Sequence, residues 1–316
     1  MSLQMDTEVA ESIAPIAAAA AAAPAPAAGD WQTRRDLGGS LISTYTAALP
    51  EQAGAEMTEH VAAAPDGAPV ALRLYRGTTP STGSMVVYLH GGGMFLGSLD
   101  SHDPLCRRYA VASGVAVLSV GFRLAPEHPY PAAVEDAYAA FLWAVEHAIE
   151  LGADPARVAV MGDSAGAGMA AAVAMMARDR EGPPPARQIL VHPMLDDRTV
   201  IADPHLAPMV MWTADDNRTG WGCLLGDAAG GPDVPVYAAP ARERDLSGLP
   251  PAYVEIGQLD LFRAEAADFA ERLGLAGVDV EYHLHPGVPH LFDVWAPDSD
   301  VARRAFSDRV RVLASI

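Results

Sequence analysis

The chain has 316 residues, half of them hydrophobic, and a formal charge of −19 from 21 basic against 40 acidic side chains. So acidic a balance without a basic patch argues against nucleic acid and against an anionic membrane surface, since either would repel the protein. No uninterrupted apolar run approaches the roughly 18 residues of a spanning helix, and the two distant cysteines, Cys106 and Cys223, lie in apolar surroundings and read as reduced packing residues rather than a disulfide framework or a metal site.

The N-terminus carries Asp6, Glu8 and Glu11 ahead of an alanine run, where a secretory signal would need positive charge, so a cytoplasmic location is expected. Residues 14–29 are almost all Ala and Pro and predict a loosely packed arm. The amphipathic stretch from Trp31 to Leu49 predicts one or two helices of a cap. From residue 70 apolar, β-branched runs recur at Val70–Tyr75, Met85–Leu89, Val115–Val120, Val158–Met161, Gln188–Val191, Tyr253–Ile256 and Val278–Leu284. Helical patterns lie between them at about 102–113, 132–151, 165–179, 263–275 and 300–314. That alternation predicts an α/β fold with a mostly parallel sheet covered on both faces. The interval from Asp196 to about Asp245 has no strand pattern but contains Trp212, Trp221 and a helical stretch near Asp215–Leu225. The expected organisation is an arm with cap helices over 1–49 and an α/β domain over 50–316 with a cap insertion at about 196–245. Such a cap would cover the carboxyl ends of the strands, where ligand sites of open α/β sheets lie.

The chemistry centres on Gly162-Asp163-Ser164-Ala165-Gly166, which follows a strand and opens a helix. That context is what a Gly-x-Ser-x-Gly nucleophile elbow requires: a sharp turn that exposes the serine hydroxyl above the sheet. Serine needs a base. His290, in Pro286-Gly287-Val288-Pro289-His290-Leu291-Phe292 beyond the last strand, is the best placed histidine. His283 and His285 alternate within a strand, His192 ends one, and His128 lies in a proline-rich loop. Asp260, just past the preceding strand, is the carboxylate expected to orient the imidazole, whereas Glu255 is mid-strand. His90-Gly91-Gly92-Gly93 follows the strand Met85–Leu89 and can turn N–H groups towards a developing oxyanion; the expected donors are Gly92, Gly93 and Ala165, with His90 bracing the loop. Met94, Phe95, Met209, Trp212 and Leu291 are candidates for the substrate pocket. Arg123 and Glu127 are expected to bond to each other or to backbone, and Asp163 and Asp136 to bond near the elbow.

His90-Gly-Gly-Gly93, then Arg123-Leu124-Ala125-Pro126-Glu127-His128-Pro129-Tyr130-Pro131-Ala132-Ala133, then Gly162-Asp-Ser-Ala-Gly-Ala167, then Gly287-x-x-His290-x-Phe292 resembles the hormone-sensitive-lipase-like esterases from about residue 70 to the C-terminus. The resemblance implies an α/β-hydrolase fold, a helical cap, a Ser164–Asp260–His290 triad, and hydrolysis of short- to medium-chain esters with neither cofactor nor metal. The Gly-Asp-Ser form implies the larger subgroup. Val120-Gly121-Phe122, where Asp-Tyr is more usual, and the Ala/Pro arm depart from the pattern. The implied partner is a small-molecule ester, and a homodimer is compatible with the sequence. An amidase or deacetylase on the same triad, a true lipase, and a non-catalytic ligand receptor are the competing readings.

Overall fold

The computed structural model describes residues 3–22, 25–47, 53–78, 82–201 and 203–316. Eight strands form one sheet in the order β1-β2-β4-β3-β5-β6-β7-β8. They are β1 (Ala55–Ala63), β2 (Pro69–Gly77), β3 (Met85–Leu89), β4 (Ala116–Gly121), β5 (Val158–Asp163), β6 (Gln188–Val191), β7 (Ala252–Gly257) and β8 (Val280–His285). β1 pairs antiparallel with β2, and β2 with β4; every other pairing is parallel. β3, β5, β6 and β7 are buried at every position, which is why they read as continuous apolar runs.

Alternate residues along the strands feed two cores. Val86, Tyr88, Val117, Met161 and Tyr253 face α3 (Leu99–Ser113) and the C-terminal helix α9 (Asp300–Ala314). Val87, Leu118, Val160, Leu190 and Val254 face α4 (Ala132–Glu146), α5 (Ala165–Asp179) and α7 (Arg263–Leu275). α5 is buried over almost its whole length, and its alanines and glycines let it lie close on the sheet.

A third cluster joins the N-terminus to α8 (Phe292–Trp295) and α9. Here the structure corrects the expectation of a loose arm: residues 7–22 form α1 (Thr7–Ala22). Alanine is the strongest helix former. Val9 and Ile13, one turn apart, pack with Phe292 and Trp295, and the Ser12 hydroxyl donates to the Trp295 carbonyl at 2.7 Å. The Trp31–Leu49 segment contains α2 (Trp31–Ala47), while its last two residues lie outside the described ones. Between β6 and β7 the described chain has no strand; it contains α6 (Ala214–Leu225), which starts in a capping box of Thr213 and Asp216. Helices α2 and α6 touch over the carboxyl edge of the sheet. Among the described residues no helix is long and apolar enough to cross a membrane.

Candidate active site

The chain runs from β3 to β4 on one side of the sheet and then to β5 on the other side of β3. The loops after β3 and β5 therefore lie together at the carboxyl edge, at the point where strand order reverses. The first carries His90–Gly93 and the second Ser164.

Ser164 has φ 54 and ψ −118, a left-handed-side conformation that a non-glycine residue adopts only when its surroundings enforce it. Its N–H donates to the Val191 carbonyl at 2.8 Å, and its own carbonyl accepts from Met194 N–H at 3.0 Å. Both bonds tie the turn to β6 and the segment after it. A Cβ on Gly166 would overlap the Leu89 carbonyl, so the first turn of α5 approaches β3 this closely only with glycine there.

β7 and β8 run parallel to β5, so the loops after them reach the same edge. Leu259 N–H donates to the Val288 carbonyl at 2.9 Å and joins those two loops directly. The Trp295 indole N–H donates to the His290 carbonyl at 3.1 Å. His290 Nε2 lies 2.9 Å from Ser164 Oγ, and its Nδ1 lies 2.7 Å from Asp260 Oδ2. The other Asp260 oxygen accepts Phe262 N–H at 2.9 Å. Ser164, His290 and Asp260 are 3 %, 2 % and 0 % exposed, so bulk water does not compete for these bonds. With Nδ1–H donated to the carboxylate, Nε2 is left to accept the serine proton.

The glycine loop folds back on itself: Phe95 and Leu96 N–H donate to the Gly92 carbonyl at 3.1 and 3.0 Å. Gly92 has φ 122, and a Cβ there would overlap the Leu96 carbonyl. Among the described residues the N–H groups of Gly92, Gly93 and Ala165 donate to no protein acceptor. Ala165 also begins α5, whose amino end favours negative charge. His90 stacks between Phe122 at 4.2 Å and His102 at 5.1 Å, with Nδ1 2.8 Å from the Gly91 carbonyl. Burial pushes its pKa down to about 3, so it braces the loop as a neutral ring. Phe122, the departure noted in the sequence, is thus one side of that stack.

An open cleft of about 210 Å³ lies above Ser164 and His290. Phe95, Trp212 and Leu291 line it. Met94 and Met209 do not. Met94 has φ 70, which turns its side chain to a separate small cavity beside Met169 and Leu224. Met209 sits in the preceding turn, and Met211 reaches the cleft instead. Leu37 and Leu41 of α2, and Trp212 and Asp216 from the segment between β6 and β7, contribute walls.

Three groups that shape the site escaped the sequence reading. Arg35 of α2 donates to the Phe95 carbonyl at 2.5 Å and to the Ala125 carbonyl at 2.9 Å, and pairs with Glu127. Glu127 is therefore not the partner of Arg123, which binds Asp136 and Asp66. Arg34, also of α2, is buried and pairs with Asp216 of α6. Arg309 of α9, 1 % exposed, donates to Glu255 and Asp293 and holds both carboxyls well below the usual range. Asp163 accepts the Tyr88 hydroxyl beside the elbow. Cys106 and Cys223 are free and buried, and burial raises both thiols, that of Cys223 to about 11.

A family profile described as the alpha/beta hydrolase fold, Abhydrolase_3, matches residues 86–294. Carboxylesterase NlhH of Mycobacterium tuberculosis is 44% identical over 214 residues, 65% of this chain and 65% of its own length. The chain thus aligns with just under two thirds of that relative. An ethyl acetate hydrolase of Pseudomonas putida is 36% identical over 242 residues, 72% of each chain. The solved structure titled bacterial heroin esterase superposes with a TM-score of 0.87 and 35% identity over 99% of this chain and 98% of that one. The chain belongs to this α/β-hydrolase family, the hormone-sensitive-lipase-like group that its motifs resemble.

Proposed function

We propose that the protein is a serine carboxylesterase that cleaves short- to medium-chain esters through an acyl-enzyme. The observation that carries this is the unbroken chain from Asp260 through His290 to Ser164, at 2.7 and 2.9 Å, beneath an open cleft. Ser164 Oγ attacks the ester carbonyl carbon as His290 Nε2 takes its proton. The carbonyl oxygen becomes an oxyanion and is met by the N–H groups of Gly92, Gly93 and Ala165. One such donor is worth about 2.7–4 kcal/mol in the transition state. The tetrahedral intermediate collapses, His290 protonates the departing alcohol, and the acyl group stays on Ser164. Water, activated by the same imidazole, then releases the acid and restores the serine. Residues 1–49 and about 196–245 act as the cap that shields the reaction from bulk water.

The direct test is Ser164→Ala with a short p-nitrophenyl ester. Turnover should fall by about four to six powers of ten, while the folded state is retained. The wild type, and not the variant, should be labelled on Ser164 by a fluorophosphonate. An acyl series from acetate to palmitate should peak at the short to medium end. Near-normal turnover in Ser164→Ala would remove the proposal.

A further inference from the structure

We infer that the catalytic cleft favours esters bearing a carboxylate remote from the scissile bond, with Arg108 as its counter-cation. This rests on the reading of Ser164 and His290 as nucleophile and base. The cleft continues from those residues along α3, where His102, Leu105 and Arg108 line it at a spacing of three. Residues so spaced share one helix face. A rise of about 1.5 Å per residue sets Arg108 about 9 Å beyond His102 along the helix. His102 itself marks the serine end, because its Nε2 lies 3.9 Å from Asp163 beside the elbow.

Other charged side chains along the cleft have partners within the protein. Arg34 pairs with Asp216, and Asp293 with Arg309. Asp163 accepts the Tyr88 hydroxyl. Half-buried Arg108 has, among the described residues, neither a carboxylate partner nor a protein hydrogen-bond acceptor. One face of its guanidinium is covered, with Cζ 3.8 Å from the centroid of the Phe306 ring. That stack fixes the plane and leaves the N–H edge free for a two-pronged grip on a carboxylate. Asp163 adjoins Ser164 and repels an anion at the serine end, so the carboxylate belongs at the Arg108 end. The walls between are largely apolar, among them Leu105, Leu291 and Val294, which suits a methylene spacer. A span of about 9 Å corresponds to about seven bonds of extended chain, since each bond of about 1.5 Å advances the zigzag by about 1.25 Å.

The test uses mono-p-nitrophenyl suberate, which has an eight-carbon diacid, against its far-end carboxamide, a neutral analogue of the same length. A second pair, 8-acetoxyoctanoic acid and its amide, puts the charge on the alcohol half. In at least one pair the wild type should show a kcat/KM ratio of acid to amide of about ten or more, the size expected of hydrogen bonds to a charged group. Arg108→Met should bring that ratio to about one or below, and Arg108→Lys should leave it intermediate. Arg304→Met, the same charge change at an exposed site on α9, should leave it unaltered. A ratio near one in the wild type for both pairs, or an unchanged ratio in Arg108→Met, overturns the inference while the esterase reading stands. Calorimetric binding of the same pairs to Ser164→Ala and Ser164→Ala/Arg108→Met judges Arg108 apart from turnover. A protein that cleaves no ester yet loses its preference for the acid on Arg108→Met would sink the esterase reading and keep the anion site.

Discussion

Asp260 shows how one atom type controls the site. Its Oδ2 accepts Nδ1–H of His290, and its Oδ1 accepts the Phe262 amide. Asp260→Asn keeps the volume but turns an N–H towards Nδ1 or leaves the Phe262 amide unmatched. The imidazole then favours the tautomer that cannot take the serine proton. We predict a fall in kcat of about 10³–10⁴ with KM little changed, because the loss is felt only as the proton moves. Steady-state kinetics on one neutral ester reads this directly; a fall confined to KM would contradict it. The residues of this chain of bonds were legible in the sequence because each sits in a short segment whose backbone is stereotyped: strand, sharp turn, helix for Ser164, and a strand end for the other two. Arg35 and Arg34 were not legible. Their partners lie 92 and 182 residues away, and no local pattern encodes such pairings. Met94 misled for a different reason, since its positive φ reverses the direction its neighbours would suggest.

At the scale of elements, the segment between β6 and β7 is fastened by a carboxyl outside the Asp260–His290–Ser164 chain. Glu265 of α7 is buried and accepts Leu195 N–H at 2.7 Å, Asp196 N–H at 3.3 Å and the Thr199 hydroxyl. The Thr199 carbonyl accepts the Asn217 amide at 2.5 Å, and Asn217 Oδ1 accepts the Trp212 indole at 3.2 Å. Burial pushes the Glu265 pKa up from 4.5 to about 8. The native state therefore holds this proton over a range where the unfolded chain has released it, so stability falls as pH rises through that window. We predict that the fall between pH 4.5 and about 8 is shallower in Glu265→Gln than in the wild type, measured as urea midpoints across pH. Equal slopes would refute the assignment. The elements themselves were mostly legible: seven helices, α2 and α6 among them, and seven strands follow the pattern of the sequence. β1 was not, because it is an edge strand with a single buried position, and its regularity comes from nine pairings with β2. α1 was masked by its Ala/Pro composition, and its order comes from two apolar anchors one turn apart.

Across the whole molecule, the parallel order of β5, β6, β7 and β8 brings three loops that are far apart in sequence to one edge, and the C-terminal helix then holds that edge from beneath. Arg309 of α9 binds Glu255, five residues before Asp260, and Asp293, three residues after His290. Its Nη1 also donates to the Tyr109 hydroxyl of α3 at 3.1 Å. A single buried cation thus fixes the spacing of the two loops that bear His290 and Asp260. Arg309→Met takes the cation from fully buried Glu255 and from the mostly buried Asp293, leaving them only Tyr253, His192 and His285 nearby, and should cost up to about 3–5 kcal/mol, the range for breaking a buried pair from one side. Neutralising them as well, in Arg309→Met/Glu255→Gln/Asp293→Asn, removes that penalty, and most of the stability should return in urea unfolding. Activity should not return with it. The neutral triple variant has no charge to draw the loops to a common point, so the bond from His290 to Asp260 is held less firmly and kcat stays reduced by about tenfold or more, a loss of only about 1.4 kcal/mol of transition-state stabilisation. Recovery of stability and kcat together would show that the C-terminal helix contributes only to folding, whereas their separation assigns α9 a share in aligning the proton-transfer chain.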